Sequence, residues 1–184
     1  MNSYFVLWPN DWCKLLAQAN DAGPLQVIYG GPHISVPSLG KVKVGDIIYP
    51  ITVKSGQLFI IGRMQVERIT QAEVYLQEQN INRLANNLWD TSAPKLIKQQ
   101  PELGHRIPRS CVDDAATGSG THFRFDFQVP TETISSLQFG PKPGQEKSLS
   151  VTQEGKISHV AFQGHFRRLS VDSATLVADL MQKF

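Results

Sequence analysis

The stretch from Lys41 to Thr70, KVKVGDIIYPITVKSGQLFIIGRMQVERIT, constrains this chain more than any other part of it. Two runs dense in Ile and Val, Asp46 to Lys54 and Leu58 to Ile69, are separated only by Ser55-Gly56-Gln57. β-Branched residues suit a pleated, half-buried surface, and a short connection containing Gly joins antiparallel strands. Gly45-Asp46 turns the chain into the first run. The expectation is a hairpin of a small β-barrel, its runs paired in a bent sheet with a Trp12-containing helix packed on it.

The chain before the hairpin reads strand, helix, strand. Tyr4 to Trp8 is a first strand ended by Pro9. Asn10 or Asp11 then caps a helix over Trp12 to Asn20, with Trp12, Leu15, Leu16 and Ala19 on one face. Gly23-Pro24 stops it, and Gln26 to Tyr29 reads as a short strand before the turn Gly30-Gly31-Pro32. Past the hairpin, Ala72, Tyr75 and Leu76 share a face of a helix over Gln71 to Gln79.

From Asn80 to Gly120 the periodicity fails. Pro94, Pro101 and Pro108, and the loop DDAATGSG from Asp113 to Gly120, mark an irregular insertion with one short helix around Arg83 to Trp89. Order resumes at Thr121, where Phe123, Phe125 and Phe127 alternate with Arg124, Asp126 and Gln128 as in a half-buried strand. Phe125, in the middle, is expected to be core. Glu132 to Leu137 reads as a helical turn, and Lys147 to Thr152 with Ile157 to Gln163 as a hairpin around Glu154-Gly155. Ser170 caps a last helix to Lys183, whose stripe Val171, Ala174, Val177, Leu180, Met181 and Phe184 faces the core.

Composition sets bounds. A chain of 184 residues suits one domain: barrel from 1–79 and 121–169, insertion 80–120, and C-terminal helix 170–184. A net charge of +2 is only mildly basic, below what duplex-binding proteins driven by electrostatics usually carry. Cys13 and Cys111 fit no metal-ligand spacing and read as reduced thiols of a cytoplasmic protein. The N-terminus lacks the basic and apolar regions of a signal peptide, and no apolar run reaches the roughly 20 residues of a membrane span.

Tyr4-Phe5-Val6-Leu7-Trp8, Val44-Gly45-Asp46-Ile47-Ile48-Tyr49 and Phe59-Ile60-Ile61-Gly62-Arg63-Met64, in this order and with a helix after the first, resemble the PUA-like superfamily. That group includes the PUA, ASCH, EVE and YTH modules. The likeness covers about residues 1–75 and implies an α+β fold: a PUA-like bent β-barrel with flanking helices, interrupted here by the insertion. It further implies that Gly62 lets the barrel bend, and that Trp8 or Trp12 walls a base pocket with Arg63 nearby. A buried indole packing helix to barrel is the stronger rival for either tryptophan.

Catalytic chemistry has little to stand on. His33, His105, His122, His159 and His165 form no zinc spacing. His105, Cys111 and Asp113 invite a cysteine-nucleophile reading, but no family signature surrounds Cys111, and a small buried thiol is the plainer account. Gly118-Ser119-Gly120 is a flexible turn with a weak claim as a phosphate cradle. No enzyme and no cofactor are expected.

Charge points elsewhere. Arg83, Lys95, Lys98, Arg106 and Arg109 outweigh Asp90 and Glu102, with Trp89 and His105 interleaved, so the insertion can grip phosphates and stack on bases. A solvated basic loop is the weightier alternative. Arg167-Arg168 precede the last helix, where the dipole could share an anion, although such pairs more often make surface ion pairs. Two functions follow: a non-enzymatic module for RNA or modified or single-stranded nucleic acid, or an immunity protein that blocks a toxin nuclease. The mildly basic charge weighs against the second, because inhibitors of basic nucleases tend to be acidic.

Overall fold

The computed structural model describes residues 1–18, 20–30, 39–79, 114–152, 154–162 and 166–184. The expected helix at 83–89, the turn after Gly30, Cys111 and the basic residues of the insertion lie outside them.

The architecture is α+β, a curled half-barrel sheet with a few helices. Its elements run β1 (Ser3–Leu7), α1 (Asn10–Gln18), β2 (Val27–Gly30), β3 (Ile47–Lys54), β4 (Gln57–Ile60), β5 (Met64–Gln71), α2 (Ala72–Glu78) and β6 (Asp114–Gly120). Then follow α3 (Thr131–Ser136), β7 (Gln138–Phe139), β8 (Lys147–Ser148), a 3-10 turn (His159–Phe162), β9 (Phe166–Arg168), α4 (Val171–Leu180) and a last 3-10 turn (Met181–Lys183). The main sheet orders its strands β2-β6-β5-β3-β1-β9, with β4 also on β3, and β1 and β3 run parallel. No helix among the described residues is long and apolar enough to cross a membrane.

The hairpin forms as expected, with Ile51 opposite Ile60 and Lys54 opposite Gln57. Ser55 (φ 52) and Gly56 (φ 77) both take the left-handed conformation, which suits a two-residue turn to the strands' twist. The second run, however, is two strands. Ile61-Gly62-Arg63 breaks it, so β4 pairs the far half of β3 while β5 pairs Ile47 and Ile48 at the near end. One strand thus holds two successive partners on one edge, and the sheet curls there.

Strands buried on both faces read as continuous apolar runs, and β1 is one. Tyr4, Val6 and Trp8 enter a first core with Leu16 of α1, Ile48, Met64, Ala116 and Phe123. Phe5 enters a second with Tyr49, Ile51, Leu58, Phe139, Phe162 and Val177. Phe5 stacks edge-on to Tyr49 at 6.0 Å, and Trp8 edge-on to Phe123 at 5.8 Å. In α2 the expected face, Ala72, Tyr75 and Leu76, is buried.

Four expectations are corrected. The end of the expected loop, Asp114 to Gly120, is β6, a strand between β2 and β5. Its two glycines permit close packing rather than a turn. A Cβ at Gly118 would lie 1.8 Å from the Gln65 carbonyl oxygen, and one at Gly120 2.2 Å from that of Leu25. The partner strand bulges between Val66 and Arg68 opposite this point.

The Thr121-to-Val129 segment is not a regular strand. It crosses the β4–β5 break, so its amides change partner along the way: Phe123 donates to Ala22 O, Arg124 to Ile61 O and Val129 to Leu58 O. Its phenylalanines therefore do not share one face. Phe123 belongs to the first core, Phe127 to the second, and Phe125 packs half-buried against the first. The hairpin at Glu154-Gly155 keeps its turn and the single bridge Val151–Ile157, but β8 pairs with β7 and a 3-10 turn follows. In α4, Ser170 caps as expected, its Oγ accepting from Ser173 N at 3.1 Å. Val171, at the exposed first turn, is 75% accessible and leaves the stripe, while Ser173 and Val177 are buried.

Phe123→Ala should cost roughly 3–5 kcal/mol, as for an emptied aromatic core site. Phe125→Ala should cost only about 1–2 kcal/mol, the scale of a half-buried side chain. Equal shifts in urea midpoint for the two variants would contradict the division between them. Gly118→Ala, which forces a methyl into the β5 backbone, should cost about 1–3 kcal/mol or more by the same measurement, whereas a flexible turn at this point would tolerate it.

Candidate functional site

Three distant segments meet at the β1–β9 side of the sheet and enclose a cleft of about 580 Å³. The turn before β3 supplies Lys41 and Lys43, the loop after β7 supplies Lys142 between Pro141 and Pro143, and β9 supplies Phe166, Arg167 and Arg168. Asn2 and Tyr4 complete the wall, and among the described residues no carboxylate lines it.

Each segment is anchored for a physical reason. The buried Asp46 carboxylate accepts from Asn2 N at 2.7 Å and Lys43 N at 2.9 Å, tying the turn to the start of β1. Ionised acceptors make the stronger hydrogen bonds, which suits a carboxylate with 2% exposure. The Tyr4 hydroxyl donates to Lys41 O at 3.1 Å. Burial, and then the Asp46 charge, push its phenol pKa up, so it remains a neutral donor.

Arg168 closes the loop after β7. Its Nε donates to Gly140 O at 2.8 Å and its Nη2 to Glu146 Oε1 at 2.7 Å, while Glu146 Oε2 accepts from Gly144 N at 2.6 Å. The guanidinium thus fastens both ends of 140–146 to β9. Arg167 donates twice to Ala161 O, from Nε at 3.0 Å and Nη2 at 2.5 Å. The Lys41, Lys43 and Lys142 ammonium groups make no ion pair among the described residues. With Glu146 neutralising Arg168, the cleft presents the charges of three lysines and Arg167, a concentration well above the chain average.

Of the residues singled out in the sequence that the structure describes, Arg167 and Arg168 line the cleft, while Trp8 and Trp12 belong to the first core. Trp8 is 1% exposed and belongs to the first core, so it is not a stacking surface. Trp12 packs half-buried against the same core, and its indole N–H is buried with no hydrogen-bond partner among the described residues. Arg63 lies towards Tyr49 of the second core: burial pushes that phenol up, and the Arg63 guanidinium opposes the push. Arg63 is thus near a residue of the second core, while Trp8 belongs to the first. The anion expected between Arg168 and the last helix gives way to the Glu146 pair. Trp89, Arg106 and Arg109 lie outside the described residues.

Sequence reasoning finds Arg167 and Arg168 but misses Lys41, Lys43 and Lys142. The signal available was the Gly140-Pro-Lys-Pro-Gly144 loop, which holds a lysine on a stiff, exposed backbone. Among the described residues, no group of three His, Cys, Asp or Glu could hold a metal ion. Compared with known proteins, the chain matches no protein-family model and no curated protein.

The Arg168 hydrogen bond holds the Glu146 carboxyl below its ordinary value of 4.5. A lowered folded pKa means the tie is complete above the ordinary value and is lost as pH falls through the folded one. Amide exchange at Gly144 should accelerate on acidification through that window. In Glu146→Gln the acid-dependent step should vanish; its persistence would assign the step to another group.

Proposed function

We propose that this chain is a non-enzymatic binding module for RNA or another single-stranded nucleic acid, a bent half-barrel of PUA-like type. The observation that carries the reading is the cleft at β9, where Lys41, Lys43, Lys142 and Arg167 converge with no carboxylate among the described lining residues. Cations spaced along a groove follow a phosphate backbone, and an aromatic on the wall supplies a stacking surface. Phe166, half-buried with one side in the cleft, is that aromatic. It replaces the Trp8 or Trp12 that the resemblance suggested. The modest overall charge favours a flexible strand over a rigid duplex, since a single strand can bend to a local cluster. The immunity-protein alternative fits less well, because a basic cleft repels a basic toxin nuclease.

Replacing Lys41, Lys43 and Lys142 together with Ala should weaken binding of short single-stranded RNA and DNA whatever their sequence. The slope of log affinity against log salt should fall by about 2, at about 0.7 per lost phosphate contact. Phe166→Ala should instead cost about 1–3 kcal/mol of stacking and leave that slope unchanged. Fluorescence anisotropy over a salt series reads both. No affinity for either polymer at low salt, with tight one-to-one binding to a single protein, would favour the immunity reading.

A further inference from the structure

A second groove, of about 930 Å³, lies beside the basic cleft and shares Gly140, Pro141 and Arg167 with it. Its character differs. Leu149 and Val160 give it apolar surface, Ser148 and Ser158 give it hydroxyls, and Lys147 gives it an ammonium group. Among the described residues no carboxylate lines this groove either.

The shared residue Arg167 is fixed rather than free to swing. Two of its nitrogens converge on Ala161 O, and Nη1 makes no hydrogen bond among the described residues. A guanidinium held in this way keeps its remaining donor aimed without a further entropy cost on binding. It stands at the point where a ligand would pass from one groove into the other.

We propose that the two grooves form one track for a single strand of several nucleotides, which crosses at Arg167. The proposal rests on the nucleic-acid reading of the basic cleft. The three cleft lysines take phosphates at one end. Arg167 takes a phosphate at the crossing, and Lys147 takes one at the far end. Base faces and sugar hydroxyls meet Val160, Leu149 and the serines, which have the mixed apolar and hydrogen-bonding character those groups need. A mononucleotide fills only one end, so the ligand class is an oligonucleotide.

The test is a length series of labelled oligouridylate and oligothymidylate, from about 2 to about 12 nucleotides, a span suited to small-domain sites. Affinity should rise with length and then level off. Lys147 is exposed, so Lys147→Ala leaves the fold intact. It should weaken only the longer oligomers and lower their salt slope by about 0.7, one phosphate contact. Lys142→Ala should weaken every length. Affinity independent of length, or a Lys147→Ala effect that is absent or equal at all lengths, would overturn the track and leave the basic cleft standing. Failure of every oligomer to bind would overturn both.

Discussion

Strand β3 carries neighbours on both edges and changes partner along one of them. Parallel β1 covers residues Ile47 to Ile51 on one side, while β5 and then β4 share the other. A flat sheet cannot provide this, because two strands cannot lie in line against one edge unless the chain between them turns away. The Ile61-Gly62-Arg63 break is that turn, and the 121–129 segment satisfies it: Thr121 N donates to Arg63 O and Arg124 N to Ile61 O. The curl, the two cores and the irregularity of that segment all follow from one interrupted edge. Buried backbone groups must find partners, and here the partners come from far along the chain.

The cleft depends on the same arrangement. Because β1 is buried on both faces, its start is rigid, and Asp46 borrows that rigidity for the turn bearing Lys41 and Lys43. Because β9 pairs with β1 from Tyr4 to Val6, Arg167 and Arg168 stand at the sheet's edge strand. The hydrogen bonds of Arg168 then fix the Lys142 loop to that strand. Three segments, the first roughly a hundred residues before the other two in sequence, are thus referred to one short strand.

What was legible in the sequence was what local chemistry decides. β1, β2, β3, the Ser55-Gly56 turn, α1, α2 and the Ser170 cap each announce themselves through apolar periodicity or cap and turn residues. β6 did not, because Gly118 and Gly120 lack a side chain for a reason that lies elsewhere in the chain: they let the β5 and Leu25 backbones approach. The same letters spell a loop when read alone. The three phenylalanines alternate as in a strand, yet the chain that holds them twists across a break elsewhere in the sheet. The cleft was least legible. Its lysines are single, exposed and separated, and only the fold brings them together.

The division of labour between the cations also bears on what the site can recognise. Arg168 uses its fixed fork on a carbonyl and a carboxylate and so acts mainly as structure, while Arg167 is held by a carbonyl with Nη1 left over among the described residues. The lysines carry compact, hydrated charges on flexible stems and hold no partner in place. Such charges follow a backbone's phosphates without demanding one exact geometry, and they read no base edges. On the proposed reading, a site of this design would tolerate many sequences and respond strongly to salt. On the proposed nucleic-acid reading, any preference among bases would come from Phe166 and from the second groove, where the lining is neither uniformly charged nor uniformly apolar.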